Sequence, residues 1–323
     1  MALAPRMPKI GLALGSGSAR GWAHMGVLKA LQEAGIKPDV VCGSSIGALV
    51  GAAYAAGELE RFSEWVQSLG MRDVFRFMDF NLTGGMLKGE KLINFWRRNF
   101  ADFDIEDSAI QFGAVATDLH SGAEVWLRHG SIANAVRASI ALPGLFTPAM
   151  RDGRLLVDGG LVNPVPSSLA RAMGADIVIA VDLNSDLMRR HMHPLGMETA
   201  VPTEELLPTP VEPQSMAWYS RLHHGLRSWM PGSGAGVTAV PEMKTPALLD
   251  VVMTSVNIMQ MRITRSRMAG DPPELVIAPR LAHLGLLDFH RAKEAIDEGY
   301  AATQAALPGL QYLGWQASSY QNK

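Results

Sequence analysis

Two short stretches have the residue types and spacing for acyl-transfer chemistry. The first, Gly43-Ser44-Ser45-Ile46-Gly47, fits the G-x-S-x-G pattern of a nucleophile elbow, in which a serine sits on a sharp strand-to-helix turn. Val40 and Val41 precede it as strand formers, and Ala48, Leu49, Ala52, Ala53 and Ala55 follow as helix formers. Glycines at both ends let the backbone turn tightly around one exposed hydroxyl. Ser45 would be the nucleophile, and a helix N-terminus there favours its developing negative charge. The second stretch is Gly15-Ser16-Gly17-Ser18-Ala19-Arg20-Gly21. Backbone N–H groups around Gly17 and Ser18, free of bulky side chains, could converge on an oxyanion, each contributing about 3–4 kcal/mol to the transition state.

The same glycine run has rival readings as a plain turn or a nucleotide loop. A P-loop needs Gly-Lys-Ser/Thr where this chain has Gly21-Trp22-Ala23. The dinucleotide fingerprint fails because the third glycine comes one residue late and Trp22 would crowd a pyrophosphate.

A serine nucleophile usually takes its proton to histidine. The chain has nine histidines, none at a position that marks it as a base. His24 reads as a structural histidine on the first helix, and the paired histidines further on lack metal-ligand partners at suitable spacing. Asp158, ahead of Gly159-Gly160, stands at a strand end, where sheet-based sites collect their residues. With an ordinary pKa of about 3.9, it would have to touch Ser45 directly and gain proton affinity from partial burial. Taken alone, Asp158 fits a turn residue better.

The elements that must position these residues follow from the apolar pattern. Ile10 to Leu14 reads as a strand, the glycine run as a loop, Trp22 to Glu33 as a helix closed by Gly35, and Asp39 to Cys42 as a second strand before the elbow. This β-loop-α-β-elbow-α opening is the signature of a parallel α/β sheet. Helices are expected at Leu59–Leu69, Lys91–Asn99 and Ser131–Ser139, and strands at Ile110–Thr117, Glu124–Arg128, Leu155–Val157 and Asp176–Leu183. From about Asn184 to Lys244 the prolines multiply and strand signals vanish, which reads as an inserted excursion. A long helix over Leu248–Met268, a strand at Glu274–Ala278 and a helix over Phe289–Ala306 follow.

Composition narrows the function classes. The 323 residues are 48% hydrophobic and 19% charged, ample for a large core. A net charge of −2 gives no global attraction to nucleic acid or anionic lipid. Cys42 is the single cysteine, so an intramolecular disulfide and a cysteine zinc cluster are excluded; it reads as a buried packing residue suited to a reducing cytoplasm. Met1 to Lys9 is too short and too weakly apolar for a signal peptide, and no stretch is long enough to span a bilayer, so a soluble or peripheral protein is expected.

Taken together, the loop from Leu14 to Leu28, the Gly43–Gly47 elbow and Asp158-Gly159-Gly160, in that order, resemble the patatin-like phospholipases, in particular the bacterial single-domain branch similar to the catalytic domain of neuropathy target esterase. Thr117-Asp118-Leu119 and the run from Arg137-Ala138-Ser139 to Pro148 are similar as well. The resemblance covers roughly residues 8–184, with Ile258 to Leu287 similar to the C-terminal part of bacterial members. It implies a three-layer α/β/α fold around a mostly parallel sheet, with residues 8–184 as the catalytic core, 185–245 as an inserted lid or contact segment, 246–310 completing the same domain and 311–323 as a loose tail. It implies a Ser45–Asp158 dyad without histidine, an oxyanion loop of Gly15, Gly17, Ser18 and Ala19 shaped by Arg20, and supporting glycines at 43, 47, 159 and 160. No metal and no cofactor are expected, and no nucleic acid. The implied substrate is a membrane phospholipid or lysophospholipid, met at the inner face of the membrane by a cytoplasmic protein. Ser16 and Ser18 depart from the family, since many members carry glycine there; backbone donors survive that change. The alternative reading is a non-catalytic, regulatory acyl-lipid-binding protein on the same fold.

A soluble member needs a way onto the lipid surface. Between Met216 and Met230, Trp218, Tyr219, Leu222, Leu226 and Trp229 fall on one helical face, with Arg221, His223, His224 and Arg227 largely on the other. Transient membrane contact, a lid packed on the protein itself and a homo-oligomer interface are three open readings of that pattern.

Overall fold

The computed structural model describes residues 7–73, 90–100, 102–186 and 248–312. The chain divides into two compact units, Met1–His193 with Ala247–Lys323, and Pro194–Pro246. The first unit carries every element described below. Trp218, Tyr219, Leu222, Leu226 and Trp229, read as one helical face open to membrane, lid or oligomer contact, lie outside the described residues.

Eight strands form one mixed sheet: β1 (Ile10–Leu14), β2 (Val40–Ser44), β3 (Gln111–Asp118), β4 (Glu124–Leu127), β5 (Ala149–Arg151), β6 (Arg154–Asp158), β7 (Ile177–Val181) and β8 (Leu275–Ile277). The hydrogen-bonded path is β5-β6-β3-β2-β1-β7-β8, with β4 also on β3. The contacts among β1, β2, β3, β7 and β8 are parallel, and those of β4, β5 and β6 are antiparallel. This is the mostly parallel α/β sheet that the alternating elements imply.

Eight α-helices accompany it among the described residues: α1 (Ala23–Glu33), α2 (Ile46–Ala55), α3 (Leu59–Ser68), α4 (Glu90–Asn99), α5 (Ile132–Ser139), α6 (Ser167–Ala172), α7 (Leu248–Gly270) and α8 (Ala292–Tyr312). Alternation along the strands sorts them into two layers. Leu12, Leu14 and Val41 join one apolar cluster with residues of α1, α2, α3, α4, α5 and α8, while Ala13, Val40 and Cys42 join a second with Leu169 and Ala170 of α6. Cys42 is fully buried there, as a packing residue. Strands buried on both faces read as continuous apolar runs, and these do.

Local chemistry fixes the ends of the elements. The α1 helix stops at Gly35, whose φ of +74° is costly for a side chain, and Ile36 N–H closes the turn on the Leu31 carbonyl at 2.8 Å. Ser131 caps α5 by accepting from Asn134 N–H at 3.1 Å. The sequence reading found β6 at Leu155–Val157 but missed α6 and β5, the strand that pairs with β6 in a hairpin. The hairpin turns on Asp152 and Gly153, with φ of +49° and +73°, an Asp-Gly pair of the kind that marks a two-residue hairpin.

Candidate active site

The active-site strands end in one place because of register. Ser44 of β2 pairs with Val115 of β3, and Asp158 of β6 pairs with Ala116, the next residue along. β4 pairs with residues 114 to 117 and so occupies the other edge of β3. β2 and β6 therefore share one edge, one parallel and one antiparallel to β3, and meet with their C-terminal ends facing. Each then turns sharply, β2 into α2 and β6 into a short 3₁₀ turn over Gly159–Leu161.

Ser45 sits on the first of these turns with φ 56° and ψ −124°, a conformation that costs a side chain about 1–3 kcal/mol. Neighbouring groups hold it there. Its N–H donates to Ser139 Oγ at 2.9 Å, and its carbonyl accepts from Ala48 N–H at 2.9 Å. Gly43 and Gly47 are glycines for lack of room: a Cβ would lie 2.3 Å from the Ala48 nitrogen at the first and 2.1 Å from the Leu14 carbonyl oxygen at the second.

Ser45 Oγ donates to Asp158 Oδ2 at 2.5 Å. The other carboxylate oxygen accepts from Gly160 N–H at 2.7 Å, and Thr117 Oγ donates to the Asp158 carbonyl at 2.7 Å. Asp158 is fully buried. Burial pushes its carboxyl up to about 7, against the downward pull of the hydrogen bonds from Ser45 and Gly160. An aspartate with that proton affinity is matched to general-base work near neutral pH. Gly159 is fixed by crowding as well, since a Cβ would lie 2.1 Å from the Val115 carbonyl oxygen.

The glycine-rich loop follows β1 on the same edge of the sheet, and the structure divides its expected donors. Gly15 N–H is spent on the Val181 carbonyl at 3.1 Å, Ala19 N–H on Leu286 at 3.1 Å, and Arg20 N–H on Gly17 at 3.2 Å. These three residues therefore shape the loop and do not offer N–H donors to a ligand, which corrects the expectation for Gly15 and Ala19. Gly17 and Ser18 N–H keep no partner among the described residues. The Arg20 guanidinium is buried, reaches Asn257 of α7 at 3.3 Å and faces the carboxylate charge of Asp182. Burial lowers its pKa to about 10, so it stays a cation and ties the loop to α7.

His24 is structural. Fully buried, its Nε2 donates to the Gly15 carbonyl at 2.7 Å, and burial lowers it to about 4, so the ring is neutral. It does not touch the dyad.

A cleft partly open to solvent runs from Ser45. Its polar lining is concentrated at one end, in Ser16, Ser18, Ser45, Asn257 and Gln260. The rest is apolar, with Trp65 and Leu69 of the α3 region, Leu92 of α4, Leu142 and Leu145 after α5, and Met253 and Val256 of α7. A serine hydroxyl lining an otherwise apolar cleft has apolar surface beside it of the kind that holds an acyl chain. Sequence reasoning gave no role to Ser139, Asn257 or Gln260. Ser139 lies within a run already similar to the family, while Asn257 and Gln260 sit on a helix whose periodicity marks a core face and nothing more.

Residues 12–171 match the family model described as patatin-like phospholipase. An uncharacterized NTE family protein of Mycobacterium tuberculosis is 34% identical over 328 residues, spanning 92% of this chain and 91% of that protein. Patatin-like phospholipase domain-containing protein 6 of Homo sapiens is 40% identical over 184 residues, 54% of this chain and 13% of that protein's length. Among solved structures, VipD from Legionella pneumophila aligns over 96% of this chain and 80% of its own, with 14% identity and a TM-score of 0.41.

Proposed function

Because the chain belongs to the patatin-like, NTE-type family of lipid hydrolases, we propose that it cleaves carboxylic esters of phospholipids or lysophospholipids through a Ser45–Asp158 dyad and an acyl-enzyme intermediate. The observation that carries this reading is the 2.5 Å hydrogen bond from Ser45 Oγ to a fully buried carboxylate.

Ser45 Oγ adds to the ester carbonyl carbon as its proton passes to Asp158 Oδ2, and the carbonyl electron pair moves onto oxygen. Gly17 and Ser18 N–H, which have no partner among the described residues, receive that oxyanion. Collapse expels the alcohol, which takes the proton back from Asp158 and leaves the acyl group on Ser45. Water then gives its proton to Asp158, attacks the acyl carbonyl, and releases the fatty acid as Ser45 recovers its proton. The apolar cleft holds the acyl chain throughout.

The proposal includes transient contact with a lipid surface. α7, which walls the cleft with Met253 and Val256, turns Val251, Val252, Ile258 and Met259 outward as exposed apolar residues. Exposed apolar residues on the helix that also walls the cleft support contact with a lipid surface on this side. Among the described residues, no helix is long and apolar enough to cross a membrane.

The test is ester and lysophospholipid hydrolysis by the wild type, Ser45→Ala and Asp158→Asn. Each variant should lose about 10⁴-fold or more, and the double variant little beyond that, because dyad members act as a unit. Equal activity in the wild type and Ser45→Ala would overturn the reading.

A further inference from the structure

The two serines in the glycine-rich loop each reach a partner far along the chain. Ser18 Oγ donates to the Leu286 carbonyl at 2.6 Å. Ser16 Oγ donates to Gln260 Oε1 of α7 at 3.1 Å. Asn184 Nδ2 donates to the Ser16 carbonyl at 3.3 Å and to the same Gln260 oxygen at 3.5 Å. Two donors on Oε1 set the orientation of the Gln260 amide, so its NH₂ group faces the other way.

Gly160 shows where that group lies. A Cβ at Gly160 would be 2.5 Å from Gln260 Nε2, 2.8 Å from Ser16 Oγ and 3.0 Å from Asp158 Oδ1. The amide nitrogen therefore hangs over the glycine whose N–H holds Asp158. Gln260 is buried, yet it lines the cleft beside Ser45, Gly17 and Ser18. Among the described residues its NH₂ group has no acceptor. A fixed donor with no protein acceptor, facing the cleft, is available to whatever binds there and accepts from it. The negative charge that builds up in the transition state of the reaction is the oxyanion beside Ser45.

We infer that Gln260 donates through Nε2 to the oxyanion formed at Ser45, adding a side-chain donor to the Gly17 and Ser18 N–H groups. Ser16 is its positioning residue, because the hydroxyl that a glycine would lack is what aims the amide. The oxyanion site is thus assembled from two ends of the chain, and Gln260 lies beyond residues 12–171, the span that matches the family model. The inference rests on Ser45 being the nucleophile.

The experiment measures kcat and KM separately for hydrolysis of p-nitrophenyl octanoate by the wild type, Gln260→Leu, Gln260→Glu, Ser16→Ala and Ser45→Ala. Active sites are counted with a fluorophosphonate and Tm is recorded for each. Gln260→Leu should lower kcat on the order of 10²-fold with KM changed by less than about twofold. Gln260→Glu keeps the acceptor for Ser16 and Asn184 and should lose at least as much kcat at high pH, where its buried carboxyl is ionised and no longer donates. Ser16→Ala, which leaves the donor but frees the amide, should lose about tenfold. A raised KM with unchanged kcat would make Gln260 a ground-state contact and overturn the inference. So would kcat loss that tracks Tm across the variants, or wild-type kcat in Gln260→Glu at high pH. Failure of the hydrolase reading shows separately, as equal activity in the wild type and Ser45→Ala.

Discussion

Ser44 and Asp158 pair with consecutive residues on one edge of β3, Val115 and Ala116, and this brings two strand ends together head-on. The Ser45–Asp158 hydrogen bond follows from that abutment, because each strand delivers its residue at the moment it leaves the sheet. Two residues 113 apart in sequence become neighbours through backbone pairing, with no flexible side chain needed to span a gap. Such a junction is rigid, as a dyad needs if its proton is to move over a short, fixed distance.

Gly159 should therefore be as sensitive as the dyad. A methyl group there would press on the Val115 carbonyl oxygen at 2.1 Å and on Ser44 Oγ at 2.9 Å, so the strand ends must part. Gly159→Ala should lower kcat by about 10²-fold and destabilise by roughly 2–4 kcal/mol. Gly174→Ala is the control: its φ of +95° makes alanine strained, but nothing lies near the added methyl and the site is untouched. It should cost about 1 kcal/mol and leave kcat alone. Paired melting curves and single-turnover rates separate the two.

Activity should depend on pH through Asp158. Its carboxyl, pushed up to about 7 by burial, must be ionised to accept the Ser45 proton. For an uncharged ester, kcat/KM should be level above about pH 7 and fall about tenfold per unit below it. A limb near pH 4 would mean that the carboxylate is far better solvated than its burial implies, and a limb that persists in Asp158→Asn would belong to another group.

The same burial makes Asp158 a stability cost at working pH. In the unfolded chain it ionises near pH 3.9, while in the folded protein it holds its proton up to about 7. Below the first value the folded state pays nothing; as pH rises between the two, the unfolded state sheds the proton and stability falls. Above about 7 the loss is complete and amounts to a few kcal/mol. Asp158→Asn removes the charge and keeps the shape. It should melt several degrees above the wild type at pH 8 and together with it at pH 4, while being inactive at both. A melting difference independent of pH would refute the linkage.

The sequence made much of this legible, and the gaps have physical causes. Ser45, Asp158 and the loop could be read because each breaks a regular element with glycines that only a tight turn requires, and the order strand–turn–helix gives the α/β layers. Which loop N–H groups are free could not be read, because Val181 and Leu286 claim Gly15 and Ala19 from distant segments. The partner of Ser45 N–H is Ser139, a hydroxyl at the end of a helix that looks like any other small residue in a core face. Gln260 is hidden for the same reason: its pairing with Ser16 spans 244 positions and leaves no local pattern.

The apolar cleft should set chain-length preference, and Val256 offers the cleanest way to show it. Val256 packs with Leu142, Leu145 and Met253 on the cleft wall. In the wild type each methylene added to a short acyl ester should gain up to about 0.8 kcal/mol of binding until the cleft is filled, raising kcat/KM a few-fold per step. Val256→Trp places an indole in that space. Overpacking should cost about 1–3 kcal/mol of stability, and the gain with chain length should stop early. The ratio of kcat/KM for p-nitrophenyl octanoate over acetate should fall by more than about tenfold, with acetate hydrolysis losing far less than octanoate hydrolysis. If both esters slow equally, the indole has disturbed Ser45 itself; if neither does, the acyl chain lies elsewhere and the cleft is not its binding site.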